Sequence, residues 1–378
     1  MTDSTMEQPE LISVRGSYRS MGADYGRVAL DKIEHNLDFY RRVWTERAGI
    51  SAEDVLAWGD VFAEQVRAYD ADIAELIDGV AEGAGFDRRL IFALNAKLEL
   101  MYGSGYTDCA CTSLAVLDSR TTDRHTLLAQ NWDWHPDIGP NTVLLSTTDE
   151  DGFSVLTLTE AGQVGKSGLN SNGIGVCANL LVTDRDAAGR GVPYAVLLRG
   201  VLQSRTMADA IRAVTTPTRI SSGNFLIAAR GGEAIDIEAA PTDFGHLVPR
   251  NGLVAHANHF ETEVAGRDTK KGSARLTLLR AERVRHLLED RLDARRVDAE
   301  AIHEVLTDHF SYPDGLCRHT NPANEYVERI VSAYSMIMDL DELTMDVTPY
   351  PVCENPSTTY ALDAAGVVTA GAQRQGTA

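Results

Sequence analysis

Apolar positions change their spacing partway along the chain. In 26-GRVALDKIEHNLDFYRRVW-44, Val28, Ile33, Leu37, Tyr40 and Val43 recur mostly at threes and fours, the spacing of one helical face. The same period runs through 52-AEDVLAWGDVFAEQVRAYDADIAELIDGVAEGAG-85 and 88-RRLIFALNAKLELMY-102. The pattern predicts helices from about Met21 to Tyr106, preceded by a loose tail at residues 1–14. After Gly103 the chain reads as short β-type runs, CTSLAVLD, HTLLAQNWDW, NTVLLSTTD and FSVLTLTEAG, broken by SRTTDR and EDG. Further strands are expected in GIGVCANLLV, NFLIAARGGEAIDIEAA, GLVAHAN and YSMIMDLDELTMDVTPY. Helices are expected near 193–213, 273–291 and 298–309, and disorder after Val368. The fold class is therefore α+β, a helical N-terminal third followed by a remainder rich in hairpins, with no internal repeat.

The change of character falls at 106-YTDCACTSLAVLD-118, where two cysteines sit one residue apart at the head of a strand. Composition narrows what they do. The chain is 44% hydrophobic and 24% charged, an ordinary globular balance, with a net charge of −20 that excludes sequence-independent nucleic-acid binding and disfavours anionic membrane surfaces. No run approaches a membrane span, and 1-MTDSTMEQPELISV-14 lacks the basic and apolar regions of a secretory signal, so a cytoplasmic protein is expected. Five sparse cysteines, Cys109, Cys111, Cys177, Cys317 and Cys353, do not suggest a disulfide framework.

Four readings of the pair stand. Both thiols could be buried as small hydrophobes, although Thr107, Asp108, Thr112 and Ser113 around them are polar. Cys109 and Cys111 could join His256 and His259 of 256-HANH-259, or His135, on a metal, but a one-residue spacer is poor for zinc. A redox dithiol prefers two intervening residues before a helix. The fourth reading breaks the backbone before Cys111. The new terminal residue then carries a thiol and an α-amine whose reference pKa near ~8 lets it serve as general base. A conventional Cys–His hydrolase with His256 or His259 as base, without backbone cleavage, is the enzymatic alternative.

Cys111-Thr112-Ser113, followed by 130-QNWDW-134, 159-TEAGQVGKSGLNSNGIGV-176, 256-HANH-259 and 317-CRH-319, resembles the isopenicillin-N acyltransferase-like family of N-terminal-nucleophile enzymes. In the leader, 16-GSYRSMGADYGR-27 and 95-NAKLEL-100 also fit, so the resemblance runs from Gly16 to Leu362 with its motifs in order. It implies an αββα four-layer sandwich and self-cleavage between Ala110 and Cys111, giving a helical segment 1–110 and a catalytic domain 111–378 that stay associated. It implies that Cys111 is the nucleophile and Asn258 the oxyanion-hole asparagine. Asp133 and Arg318 would stand near the nucleophile, and Trp132 and Glu160 would line the substrate pocket. Two departures stand out: Ala110 replaces a glycine before the nucleophile, and Gly223 replaces a serine, leaving Ser222 or Asn224 to assist processing.

The stretch 160-EAGQVGKS-167 imitates a phosphate loop, but Glu160 stands where its first glycine belongs, and a turn between strands is the better reading. His246, His303 and His309 belong to no constellation and are expected on the surface. The expectation is a self-processing amide hydrolase or acyltransferase acting on a small N-acyl or peptide-like substrate, with no cofactor and no metal. Its rival is a Cys/His metal-binding protein.

Overall fold

Two sheets lie face to face between helical layers in the computed structural model, which describes residues 5–101, 110–271, 276–325, 329–363, 366 and 368–374. Among these residues the first sheet has eight strands, in the order β1 (Glu10–Arg15), β4 (Thr142–Thr148), β5 (Ser154–Glu160), β6 (Ser167–Asn170), β7 (Ile174–Asn179), β8 (Gly223–Ala229), β9 (Glu233–Ala240) and β10 (Asp243–Leu247). The second has seven: β11 (Leu253–His256), β2 (Ala110–Val116), β3 (Leu127–Trp134), β12 (Val331–Asp339), β13 (Thr344–Pro349), β14 (Ser357–Leu362) and β15 (Val368–Arg374). Neighbours run antiparallel except β1 and β4, which are parallel. Among the described residues no helix is long and apolar enough to cross a membrane.

Helices α1 (Tyr18–Val28), α2 (Leu30–Arg42), α3 (Ala52–Tyr69), α4 (Ala71–Ala84), α5 (Arg88–Asn95), α6 (Tyr194–Leu202) and α7 (Met207–Thr215) share one apolar core with the first sheet and the space between the sheets. On the far side, α8 (Thr277–Asp293) and α9 (Ala299–Leu306) set Val284, Leu288, Ile302 and Leu306 against Leu114, Val116, Leu127 and Ala129 of the second sheet. Every residue of β2 and β3 is therefore buried, because both faces are covered. The two-residue period of β2 sends Cys111 and Ala115 into the core between the sheets and Leu114 and Val116 toward α8 and α9. This is the expected four-layer αββα arrangement.

The structure corrects both expected tails. Residues 10–15 are not loose: Ile12 and Val14 are buried, and β1 pairs in register with β4, Ile12 opposite Leu145. The chain after Val368 forms β15 along β14. Both strands draw their order from a partner's backbone, which local sequence does not display. The long helical stretch 52–85 breaks at Asp70, whose extended backbone (φ −155) and carboxylate cap the N–H groups of Asp72 and Ile73. Likewise 26–44 breaks at Ala29. Helices α1 and α4 touch backbone to backbone: a Cβ on Gly22 would lie 2.1 Å from the Leu76 carbonyl oxygen, and one on Gly79 would lie 2.2 Å from that of Arg19.

Candidate active site

Strand β2 carries Cys111 as its second residue, buried at 3% exposure, opposite Trp132 of β3. Its backbone N–H donates to Asn258 Oδ1 at 2.7 Å. Asn258 follows β11, the strand beside β2, so sheet pairing delivers the two residues to one place. Asn258 Nδ2 donates to the Leu180 carbonyl at 3.0 Å, which fixes the amide with its oxygen toward Cys111. Asn258 is thus an acceptor at the Cys111 nitrogen, whereas the sequence suggested a donor to an oxyanion.

Arg280, on α8, completes the grip. Its Nη1 donates to the Cys111 carbonyl at 2.5 Å and to Thr112 Oγ1 at 2.7 Å, and its Nη2 donates to Asn258 Oδ1 at 2.7 Å. Burial lowers its pKa to about 10, and the Asp133 carboxylate opposes that fall. The sequence reading passed over Arg280. A signal was present: Thr277, Arg280, Ala281, Val284 and Leu288 form the buried stripe of α8, so this arginine stands where an apolar residue is the norm.

Asp133 sits on β3 opposite Ala110, the residue before Cys111. Its Oδ1 accepts from Ser332 Oγ at 2.7 Å, and its Oδ2 lies 3.9 Å from Arg280 Nη1. Burial raises its pKa to about 6 against the pull of Arg318 and Arg280. Arg318 approaches through its backbone, its N–H donating to Ser332 Oγ at 2.9 Å while its guanidinium donates to Asp314 at 2.9 Å. The Cys111 thiol is pushed up by burial first, and the Lys166 ammonium opposes that shift. Lys166 sits 4.5 Å from the centre of the Trp132 ring. It belongs to the stretch that imitates a phosphate loop, which indeed joins β5 to β6.

The structure therefore brings Cys111, Asn258, Asp133, Arg318 and Trp132 into one neighbourhood and adds Arg280, Ser332 and Lys166. The other expected residues have partners of their own. Glu160 is ion-paired with Lys97 and accepts from Tyr40 Oη at 2.6 Å, so residues of the N-terminal helical part hold its carboxylate. Ser222 Oγ donates to Asp186 at 2.6 Å, and Asn224 Nδ2 donates to Asp236. At Gly223 the Tyr194 ring takes the space of a side chain: a Cβ there would lie 2.0 Å from it. A cavity of about 30 Å³ remains beside Lys166 and Tyr194, walled partly by Asn95, Lys97 and Glu99.

His256 is committed, whereas His259 meets Thr277 Oγ1 through Nδ1 at 3.2 Å and has its pKa lowered by burial and by the neighbouring His256. His256 Nε2 meets Glu238 Oε1 at 2.6 Å and its Nδ1 meets the Ala257 carbonyl at 2.9 Å, so both ring nitrogens donate. Burial would lower its pKa, but Asp236 and Glu238 outweigh that and raise it to about 9. An imidazolium has no lone pair for a thiol or a metal. Cys109, a further member of the expected metal set beside Cys111, His256 and His259, lies outside the described residues.

Residues 119–348 match the family described as acyl-coenzyme A:6-aminopenicillanic acid acyl-transferase. The chain is 25% identical over 313 residues to the acyl-coenzyme A:6-aminopenicillanic-acid-acyltransferase 40 kDa form of Emericella nidulans, covering 81% of this chain and 84% of that protein. Among solved structures it is similar to a mutant of the conjugated bile acid hydrolase from Clostridium perfringens, with TM-score 0.48 and 13% identity over 69% of this chain and 96% of that one. It is also similar to penicillin V acylase from Agrobacterium tumefaciens, with TM-score 0.41 and 11% identity over 68% of this chain and 93% of that one.

Proposed function

Because the chain belongs to the acyl-coenzyme A:6-aminopenicillanic acid acyl-transferase family, enzymes that make and break acyl bonds, we propose that it is a self-processing amide hydrolase or acyltransferase with Cys111 as its nucleophile. The single observation that carries this reading is the grip on the Ala110–Cys111 peptide bond. Its nitrogen is held by Asn258, and the carbonyl that follows it is held by Arg280. Cleavage at that bond converts the held nitrogen into an α-amine without moving it.

The first step forms a bond between Cys111 Sγ and the Ala110 carbonyl carbon and breaks the bond from that carbon to the Cys111 nitrogen. The thiol proton ends on the released amine. Water then splits the thioester, giving the Ala110 carboxylate and restoring the thiol. In the processed enzyme the same thiol takes the acyl group of a small N-acyl or peptide-like amide, and the α-amine carries the proton to the departing amine. Water as acceptor gives hydrolysis; an amine gives transfer. Asn258 Nδ2 carries a second hydrogen, which we assign to the oxyanion. Segment 1–110 acts as the inhibitory leader and remains bound after the cut.

Intact mass of the purified protein under denaturing conditions, beside Cys111→Ala, tests the reading. Two fragments that part before Cys111 are expected in the wild type and one full-length chain in the variant. A single chain in both samples, with the wild type still active, overturns it.

A further inference from the structure

The loop after α9 and the turn between β13 and β14 draw together four side chains that acyl chemistry leaves unused. They are His309, Cys317, His319 and Cys353, and their ligand atoms all lie within 4.8 Å of one another. His319 Nε2 is 3.3 Å from Cys317 Sγ, 3.5 Å from Cys353 Sγ and 3.1 Å from His309 Nε2. A ring nitrogen carries either one hydrogen or one lone pair, so hydrogen bonding satisfies only one of those three neighbours. A metal ion satisfies all of them at once. Tetrahedral zinc, with Zn–S of about 2.3 Å and Zn–N of about 2.05 Å, sets ligand atoms about 3.5 Å apart for sulfur to nitrogen and about 3.3 Å apart for nitrogen to nitrogen. The three observed distances lie within about 0.2 Å of those values.

We propose that His309, Cys317, His319 and Cys353 form a closed, structural zinc site that fixes the loop bearing Arg318. Two thiolates balance the charge of the ion, and two thiolates with two imidazoles suit zinc better than magnesium or calcium, which favour oxygen. Arg318 lies between two of the ligands. Its backbone N–H donates to Ser332 Oγ, which in turn donates to Asp133. The ion ties this loop to the β13–β14 turn and so holds Ser332 and Asp133 at a distance from itself. The ligand order, one His, a C-x-H pair and a Cys 34 residues beyond His319, carries none of the usual paired-cysteine spacing, and His309 read as an ordinary surface residue.

The test is elemental analysis of the full chain, purified without chelator from zinc-supplemented cultures, beside Cys353→Ser, His309→Ala and Cys111→Ala. Roughly one zinc per chain is expected in the wild type and in Cys111→Ala, and loss of most of it in the other two. Cobalt substitution of the wild type gives a readout that needs no variant to fold: intense thiolate-to-cobalt absorption and tetrahedral ligand-field bands. Wild-type protein without stoichiometric zinc and without those bands overturns the proposal. So does a Cys317–Cys353 disulfide found by peptide mass mapping, or zinc retained in both ligand variants. These results are independent of whether the chain cleaves itself.

Discussion

Asn258 Oδ1 accepts a hydrogen bond from the backbone nitrogen of Cys111 at 2.7 Å, across 147 residues of sequence. The amide has two faces, and two substitutions separate them. Asn258→Ala removes both. Asn258→Asp keeps an acceptor for Cys111 and Arg280 but removes the donor. If the donor serves the oxyanion, both variants process themselves about 10² to 10³ times more slowly than wild type, followed as loss of precursor on denaturing gels after pulsed expression. An Asp variant that processes at the wild-type rate refutes the donor role.

Arg280 is a buried cation that holds the Cys111 carbonyl, Thr112 and Asn258 together. Arg280→Met leaves those acceptors, and the Asp133 carboxylate 3.9 Å away, without their cation. The expected cost is about 3 kcal/mol in urea unfolding of the Cys111→Ala background. Arg280→Lys does not restore the loss, because one ammonium cannot reproduce a guanidinium fork. Equal unfolding midpoints with and without the Arg280→Met change would show that the grip carries no stability.

Asp133 gives a pH signature. Its carboxyl is held at about 6 against an ordinary 3.8. Between those values the folded chain binds more protons than the unfolded one, so stability falls as pH rises from about 4 to about 6. The shift of roughly two pK units corresponds to about 3 kcal/mol, and Asp133→Asn, which mimics the neutral acid, abolishes this slope. Thermal melts of Cys111→Ala with and without Asp133→Asn across that window are the measurement. Parallel pH curves for the two proteins exclude burial of an ionisable Asp133.

The α+β class was legible because period is a local property, whereas the four-layer arrangement was legible only through the family resemblance. Helical spacing before Gly103 and strand spacing after it survive in the sequence whatever they pack against. What was not legible depends on partners. The order of β1 and β15 comes from the backbones of β4 and β14, and the break at Asp70 from a capping carboxylate read as one more polar position. The site divides the same way. Cys111 stands out by its position at the head of a strand, and Asp133 only through the family resemblance of QNWDW; strand register places the two on neighbouring strands, β2 and β3. Arg280 reaches them from a helix far along the chain, and Glu160 is claimed by Lys97 and Tyr40 of the leader. Only assembly of the layers reveals either fact.

His256 supplies the alkaline counterpart to Asp133. Its folded pKa of about 9 lies above the ordinary 6.5, held up by Asp236 and Glu238 against burial. A raised basic group lends stability that is complete below pH 6.5 and lost as pH climbs through 9. The full loss is about 3 kcal/mol. His256→Gln is less stable than wild type at neutral pH and lacks this decline, which melts between about pH 6.5 and 9.5 would record. A wild-type protein with flat stability over that range contradicts a charged His256.

The buried ion pair of Lys97 and Glu160 crosses the proposed cut, with side chains only 6% and 1% exposed. Tyr40, also of the leader, donates to the same carboxylate. The leader further buries Leu37, Trp44 and Phe92 in the core it shares with the first sheet. A segment embedded in this way does not leave when one peptide bond breaks, so the two fragments of the processed protein should co-elute on native size exclusion and separate only in denaturant. Lys97→Met strands a carboxylate in the core and should cost about 3–5 kcal/mol, whereas Lys97→Met with Glu160→Gln, which removes both charges, should recover most of it. If the small fragment elutes alone from native wild-type protein, the leader is a discarded propeptide and the ion pair serves only the precursor. If the double variant is no more stable than Lys97→Met, the cost lies in lost packing of the lysine stem rather than in an unpaired charge.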